Sequence, residues 1–181
     1  MNIPNVITLG RIILVPVVVW AITSGQMRAA FFLFLAAGIS DAVDGFLAKR
    51  FHMASELGAY LDPLADKALI VSIYVALGIA DKLPISLVIL VVSRDIMIIS
   101  GFILSWLVGR PMPVKPLPVS KLNTAAQIFL ATLVLAEQSF GFDVALLTTI
   151  AIALVAMLTL LSIAFYLAAW FHHMNSFGAG Y

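Results

Sequence analysis

The stretch ISDAVDGFLAKRFHMASELGAYLDPLADKALI, residues 39–70, carries four aspartates inside sequence that otherwise has the composition of membrane helix. A charged side chain at the centre of a membrane helix costs about 2.5–3.5 kcal/mol on insertion scales, so unpaired carboxylates are rare there. The acids form two pairs, Asp41 with Asp44 and Asp62 with Asp66. Spacings of three and four residues put each pair on one helix face. An antiparallel hairpin of two such helices would bring the four carboxylates to one pocket.

A pocket of carboxylates offers hard oxygen ligands and high negative charge. Those properties suit Mg²⁺, Mn²⁺ or Ca²⁺ rather than zinc or copper. The alternative is a structural polar cluster, neutralised by protonation or by basic neighbours. We favour the metal site because Gly45 and Gly58 accompany the acids, and small residues let helix backbones or a ligand approach closely.

Composition independently indicates a membrane protein. The chain is 63% hydrophobic and 10% charged, whereas a soluble domain is roughly 25% charged. It has no cysteine, which excludes disulfides, thiolate catalysis and cysteine-based zinc sites. A net charge of +1 without any basic run gives no indication of a nucleic-acid partner. We expect residues 1–181 to form a single membrane-embedded domain.

Six apolar segments, each near the roughly 20 residues that span a bilayer, predict an all-α integral membrane protein with six transmembrane helices. Turn or charge signals separate them, including Ser24-Gly25 and Asp81-Lys82. The predicted spans run from about Val6 to Thr23, Ala29 to Arg50, Leu57 to Ala80, Pro84 to Val108, Leu122 to Glu137 and Val144 to Phe171.

The distribution of basic residues predicts the orientation of these spans. With six spans, both termini and two of the loops share one side. That side carries Lys49, Arg50, Arg110, Lys115 and Lys121, and the opposite side carries Arg28 and Lys82. The positive-inside rule therefore predicts cytoplasmic termini and an aspartate site near the cytoplasmic face. We expect the membrane to be a bacterial inner membrane.

The full spacing D-x-x-D-G-x-x-A-K-x8-G-x-x-x-D-x-x-x-D, from Asp41 to Asp66, resembles the signature of the CDP-alcohol phosphatidyltransferases. The departure is Lys49, where the family has arginine; lysine keeps the charge but loses the planar fork for phosphate. The resemblance implies transfer of a phosphatidyl group from a CDP-linked lipid to an alcohol, with release of CMP. It also implies Mg²⁺ or Mn²⁺ as cofactor, and we expect two ions.

The same resemblance implies a role for each residue of the signature. Asp41, Asp44 and Asp62 would bind metal, and Asp66 would be the general base toward the acceptor hydroxyl while also touching a metal. Contacts to the CDP-lipid would come from Asp41, Gly45, Ala48, Lys49, Gly58 and Asp62. No nucleophilic serine, cysteine or histidine is implied, so direct attack by the acceptor is the expected mechanism.

Three stretches outside the signature are similar to the eukaryotic-type, CDP-diacylglycerol-using cardiolipin synthases: NVITLGRIILVPVVVW, VSRDIMIISG and VSKLNTAAQ. This similarity implies CDP-diacylglycerol and phosphatidylglycerol as substrates in the lipid bilayer, and we expect a homodimer. The alternative is a phosphatidylglycerol phosphate synthase, which uses glycerol 3-phosphate. Those enzymes tend to have Arg-Glu where this chain has Arg94-Asp95, and Lys-Thr-Thr in place of residues 122–124.

A cation transporter is the alternative from another class, since transporters also use intramembrane carboxylates. Transporters usually show internal repeats or interrupted helices in corresponding halves, and none is visible in this sequence. The enzyme interpretation is therefore the better supported of the two.

Four cations in or beside the predicted spans have further roles to consider. Lys67 directly follows Asp66, and its two possible roles are an ion pair with that aspartate and binding of lipid phosphate. We expect Arg94 and Lys121 to bind the acceptor phosphate; the alternatives are an ion pair with Asp95 for the arginine and an interfacial anchor for the lysine. Arg11 lies in the first span, and snorkelling to the cytoplasmic interface is the simplest role for it. Asn123 and Gln127 are four residues apart on one helix face, and we expect them to form hydrogen bonds across helices.

Overall fold

A computed structural model describes the backbone of residues 3–51, 56–107 and 118–176. The described side chains exclude those of residues 3–8, 44–64, 102 and 173–176. Within these ranges the chain is α-helical, with no strand, which confirms the all-α part of the predicted fold class. The helices are α1 Ile3–Thr23, α2 Met27–Phe51, α3 Glu56–Ile79, α4 Ile85–Leu107, α5 Pro118–Phe140 and α6 Ala145–Ser176.

The helices coincide with the six apolar segments. The last helix, α6, ends at Ser176 rather than at the predicted Phe171, and α5 is longer than predicted at both ends. It begins at Pro118 and ends at Phe140, outside the predicted Leu122 and Glu137. Proline is well tolerated in the first turn of a helix, where its missing N–H has no intrahelical partner. The added residues are mostly polar, so hydropathy alone placed the ends of the helix too far inward.

Three helices in the described part are long and apolar enough to cross a membrane: α4, α5 and residues 145–172 of α6. The part of α1 whose side chains are described, Leu9–Thr23, is a shorter apolar helix. Large apolar side chains lie exposed along the three long helices, for example Ile89 and Leu146 at 59% and 76%. Such surface suits contact with lipid rather than with water.

The chain divides into two compact units. The first comprises residues 1–85 and 131–145, and the second comprises residues 86–130 and 146–181. In the first unit, α1 packs against both α2 and α3. Its core includes Val18 and Ile22 of α1, four residues apart on one face, and Ile73 of α3, all almost fully buried.

Short turns at the ends of α1 and α3 have the same geometry. Gly25 has a φ of 74°, and the amide of Gln26 donates to the carbonyl of Ala21 at 2.8 Å. Asp81 has a φ of 55°, and the amide of Lys82 donates to the carbonyl of Leu77 at 2.8 Å. These are Schellman-type helix ends, which satisfy carbonyls of the last turn. The turn after α1 leads within a few residues into α2.

In the second unit, a buried polar contact joins α5 to α6. The hydroxyl of Thr159 donates to the side-chain carbonyl oxygen of Asn123 at 3.0 Å, and both residues are fully buried. This contact confirms the hydrogen bond across helices that the sequence predicted for Asn123. Such bonds between membrane helices contribute on average about 0.6 kcal/mol.

Candidate active site

The residues of the aspartate signature lie on α2 and α3. Asp41 and Asp66 are described with their side chains, and each is partly exposed. The other signature positions lie within the two helices, but their side chains are outside the described set: Asp44, Gly45, Ala48 and Lys49 on α2, and Gly58 and Asp62 on α3. Their predicted roles therefore stay predictions.

Arg11 of α1 bridges the two described aspartates. Its Nη1 lies 2.7 Å from Oδ1 of Asp41 and also contacts Oδ1 of Asp66 as a hydrogen-bond donor and ion-pair partner. The arginine side chain is 1% exposed, whereas those of Asp41 and Asp66 are 45% and 41% exposed. The packing of α1 against both acid-bearing helices brings the guanidinium to this position.

Contact with the same nitrogen atom shows that carboxylates from α2 and α3 can share one cation. Two carboxylates that face a common positive charge supply part of the oxygen ligand set that a hard divalent ion needs. Within the described side chains, no group of three or more histidine, cysteine, aspartate or glutamate residues is assembled. A complete ligand set would need Asp44 and Asp62, whose side chains are not among those described.

Sequence reasoning missed the role of Arg11. The expectation that it snorkels to the interface is wrong, because its side chain is buried and paired with aspartates from two other helices. Charge balance is the signal that could have found it. A buried arginine needs a counter-ion, and the first acids that follow Arg11 in the sequence are the aspartates of α2.

Arg94 forms a second buried polar cluster, in the second unit. Its Nη1 donates to Oδ1 of Asp95 at 2.5 Å, and its Nε and Nη2 donate to the hydroxyl of Ser162 at 3.1 and 2.9 Å. Nη2 also donates to the hydroxyl of Ser120. The guanidinium lies 5.9 Å from the centre of the Tyr166 ring, and Arg94 is 1% exposed.

These contacts join α4 to the first turn of α5 and to the middle of α6. The ion pair with Asp95, one of the two roles considered for Arg94, is present in the structure. Lys121 follows Ser120 directly and is exposed at the start of α5. Of the two cations predicted to meet the acceptor phosphate, the lysine is therefore the accessible one.

Comparison with known proteins gives one family and a set of relatives. The family model described as CDP-alcohol phosphatidyltransferase matches residues 1–164. Cardiolipin synthase (CMP-forming) from Homo sapiens is 36% identical over 157 residues, covering 78% of this chain and 52% of the relative. The chloroplastic CDP-diacylglycerol–glycerol-3-phosphate 3-phosphatidyltransferase 1 from Oryza sativa subsp. japonica is 36% identical over 161 residues, covering 79% and 49%.

A relative from Rickettsia felis, a CDP-diacylglycerol–glycerol-3-phosphate 3-phosphatidyltransferase, is 30% identical over 144 residues and is covered over 78% of its length. For the human and rice proteins, the chain spans about half the length of the relative. The names of the relatives thus divide between cardiolipin synthase and CDP-diacylglycerol–glycerol-3-phosphate 3-phosphatidyltransferase, and the human and rice proteins are equally identical to this chain.

Proposed function

The chain belongs to the CDP-alcohol phosphatidyltransferase family, and on that premise we propose that it transfers a phosphatidyl group from CDP-diacylglycerol to phosphatidylglycerol, giving cardiolipin and CMP. The observation that carries the proposal is the meeting of Asp41 and Asp66 at one cation, Arg11 Nη1. These are the first and last acids of the signature, and they come from the two helices that the signature spans.

We assign metal binding to Asp41, Asp44, Asp62 and Asp66, with Mg²⁺ or Mn²⁺ as the ions and two as their number. When bound, such ions neutralise the oxygens of the pyrophosphate linkage and orient the leaving group. The charge and hardness of the carboxylate donors support this assignment. Contacts to the CDP-lipid are assigned to Asp41, Gly45, Ala48, Lys49, Gly58 and Asp62, with Lys49 meeting phosphate as a point charge.

Asp66 is the proposed general base. Its carboxylate accepts the proton of the acceptor hydroxyl, and the hydroxyl oxygen forms a bond to the phosphorus of the phosphatidyl group. The bond from that phosphorus to the CMP oxygen breaks, and CMP leaves with the electron pair. The 41% exposure of the Asp66 side chain supports this role, since a base must be reachable by the acceptor.

Phosphatidylglycerol is the preferred acceptor because of residues outside the signature. Arg94-Asp95 and Leu122-Asn123-Thr124 differ from the pattern of enzymes that use glycerol 3-phosphate, and the surrounding stretches resemble cardiolipin synthases. The second candidate is phosphatidylglycerol phosphate synthase, which the names of the rice and Rickettsia relatives support. A cation transporter is not favoured, since the family match covers most of the chain.

One assay tests the acceptor directly. Purified protein in lipid vesicles is given labelled CDP-diacylglycerol and either phosphatidylglycerol or glycerol 3-phosphate. We expect labelled cardiolipin with phosphatidylglycerol and little product with glycerol 3-phosphate. Turnover of glycerol 3-phosphate without turnover of phosphatidylglycerol would replace the first candidate by the second, and ion flux without any lipid product would favour the transporter.

We propose six membrane spans, cytoplasmic termini, a site near the cytoplasmic face of a bacterial inner membrane, and a homodimer. The length of the helices supports the spans, and the excess of basic residues on one predicted side supports their orientation. The chain has no cysteine, so single cysteines introduced near each helix end can be labelled from one side of the membrane at a time. Labelling of both termini from the outer side would contradict this orientation.

We assign the direct contact with the acceptor phosphate to Lys121. Arg94 is assigned an indirect, positioning role. Its Nε, Nη1 and Nη2 already donate to side chains on three helices, and the buried guanidinium has little room for a ligand. Its hydrogen bond to the Ser120 hydroxyl fixes the first turn of α5, and Lys121 lies directly after Ser120 in that turn. The phosphate of the acceptor is anionic, and the exposed lysine supplies a positive charge that attracts it.

Replacement of Lys121 by alanine is expected to raise the KM for phosphatidylglycerol about tenfold, with a much smaller change in the KM for CDP-diacylglycerol. The reason is loss of one charge-assisted contact, which is worth about 1.5 kcal/mol. Steady-state kinetics with each substrate varied in turn measure the split. Lys82→Ala is the matched control. Lys82 is also an exposed lysine, but it lies in the turn between α3 and α4, on the opposite predicted side of the membrane.

Arg94 variants separate positioning from direct contact. If Arg94 acts through Ser120, Ser120→Ala should raise the same KM in the same direction as Arg94→Gln. A change in both substrate KM values together, with loss of thermal stability, would instead identify a purely structural salt bridge. If Arg94→Gln raises the acceptor KM strongly and Ser120→Ala does not change it, Arg94 itself contacts the acceptor phosphate.

A further inference from the structure

Arg11 approaches the two described carboxylates from one side. Its own side chain is 1% exposed, while Asp41 and Asp66 retain 45% and 41% exposure. The guanidinium therefore lies on the closed side, where α1 packs, and part of each carboxylate remains open elsewhere. A cation that arrives from the open side meets carboxylates that already have a positive neighbour.

We propose that Arg11 is the built-in counter-ion of the carboxylate site. It balances part of the negative charge when no metal is bound, and it weakens the binding of divalent metal when metal arrives. The counter-ion part follows from the contacts themselves. The metal part rests on the proposed function, because it requires that these aspartates bind a divalent ion.

The first half of the proposal follows from the low dielectric around a membrane helix. Carboxylates there are costly unless paired, and removal of one partner from a buried ion pair is strongly destabilising. Arginine suits a permanent role of this kind, because the guanidinium keeps its charge at any physiological pH and can contact two carboxylates at once. Here one nitrogen contacts oxygens from two helices.

The second half follows from Coulomb's law. A divalent cation bound to Asp41 or Asp66 would lie a few ångströms from the guanidinium, and the two positive charges repel. Arg11 therefore lowers the affinity of the site below that of the same carboxylates alone. A site tuned in this way exchanges its metal more readily than an uncompensated cluster of acids.

Thermal unfolding in EDTA tests the counter-ion directly. We expect Arg11→Gln to lower the melting temperature by about 10 °C, because two carboxylates lose their shared partner. The double variant Arg11→Gln with Asp41→Asn should recover a large part of that loss, since charge balance is restored. Arg28→Gln is the matched control: it also removes one positive charge from the first unit, where Arg28 donates to the Ser139 carbonyl instead of to an acid.

Binding of Mn²⁺, followed by electron paramagnetic resonance, tests the effect on the metal. Arg11→Gln is expected to bind Mn²⁺ on the order of tenfold more tightly than the wild type, because the repelling charge is gone. Arg11→Lys keeps the charge and should remain close to the wild type in both measurements. Equal or weaker binding by Arg11→Gln would overturn the metal part of the proposal.

The outcomes separate this proposal from the proposed function. A wild type that binds no Mn²⁺ would overturn metal dependence, and the melting temperatures in EDTA would still decide the counter-ion. A double variant no more stable in EDTA than Arg11→Gln would overturn the counter-ion. If Arg11→Gln yields no folded protein, a folded double variant supports the proposal and an unfolded one contradicts it.

Discussion

Removal of divalent cations with EDTA is expected to abolish phosphatidyl transfer by this protein, and added Mg²⁺ or Mn²⁺ is expected to restore it. The carboxylates of the signature cannot approach the anionic pyrophosphate productively without positive charge between them. Product formation from labelled CDP-diacylglycerol measures the loss and the recovery. EDTA already saturated with Mg²⁺ is the control for effects of the chelator on the vesicles. Full activity in a metal-free preparation would contradict the metal site.

The single substitution Asp41→Asn is expected to reduce activity in the same way as removal of metal by EDTA. It removes one formal charge from a proposed ligand, so we expect weaker Mn²⁺ binding and a severe loss of turnover at ordinary metal concentrations. High Mn²⁺ should recover part of the activity. Asp143→Asn is the control, because Asp143 is an exposed aspartate that precedes α6 and has no proposed role at the site.

Asp66→Asn is expected to lower kcat by about 10²–10⁴-fold while leaving substantial binding of CDP-diacylglycerol and metal. Loss of a general base has an effect of this size, and asparagine keeps the shape of the side chain without accepting the proton. Single-turnover kinetics measure the chemical step, and Mn²⁺ binding measured on the same preparation reports the metal.

The comparison with Asp41→Asn decides how Asp66 acts. Near-normal turnover in Asp66→Asn would show that another group accepts the proton. Loss of metal affinity as large as in Asp41→Asn, with activity recovered by high Mn²⁺, would make Asp66 mainly a ligand. The base assignment requires that excess metal leaves the Asp66 variant inactive.

The fold class could be predicted because the bilayer constrains the sequence so strongly. Segments of about 20 apolar residues that end at charges or turns have few alternatives to helices. The ends of α5 could not be predicted from hydropathy, since Ser120 and Lys121 belong to a helix that begins in polar sequence. Ser120 also contacts Arg94, which lies on another helix, and hydropathy carries no information about such a contact.

The candidate site, like the fold, could be predicted only in part. Spacing within the signature singled out the candidate metal-binding residues, because the acids recur at helical intervals in one short stretch. The partner of Asp41 and Asp66 is 30 and 55 positions away in sequence and has no motif around it that specifies a contact. A side chain that acts by pairing across helices becomes recognisable only when the packing of α1 is known.

The different partners of the two buried arginines bear on how the chain enters a membrane during synthesis. Arg94 pairs with the adjacent Asp95, so α4 carries its own neutralising charge as it leaves the translocation machinery. Arg11 pairs with acids that are synthesised later, Asp41 on α2 and Asp66 on α3. We therefore expect the first helix to reach its stable place in the membrane only after α2 and α3 have been synthesised.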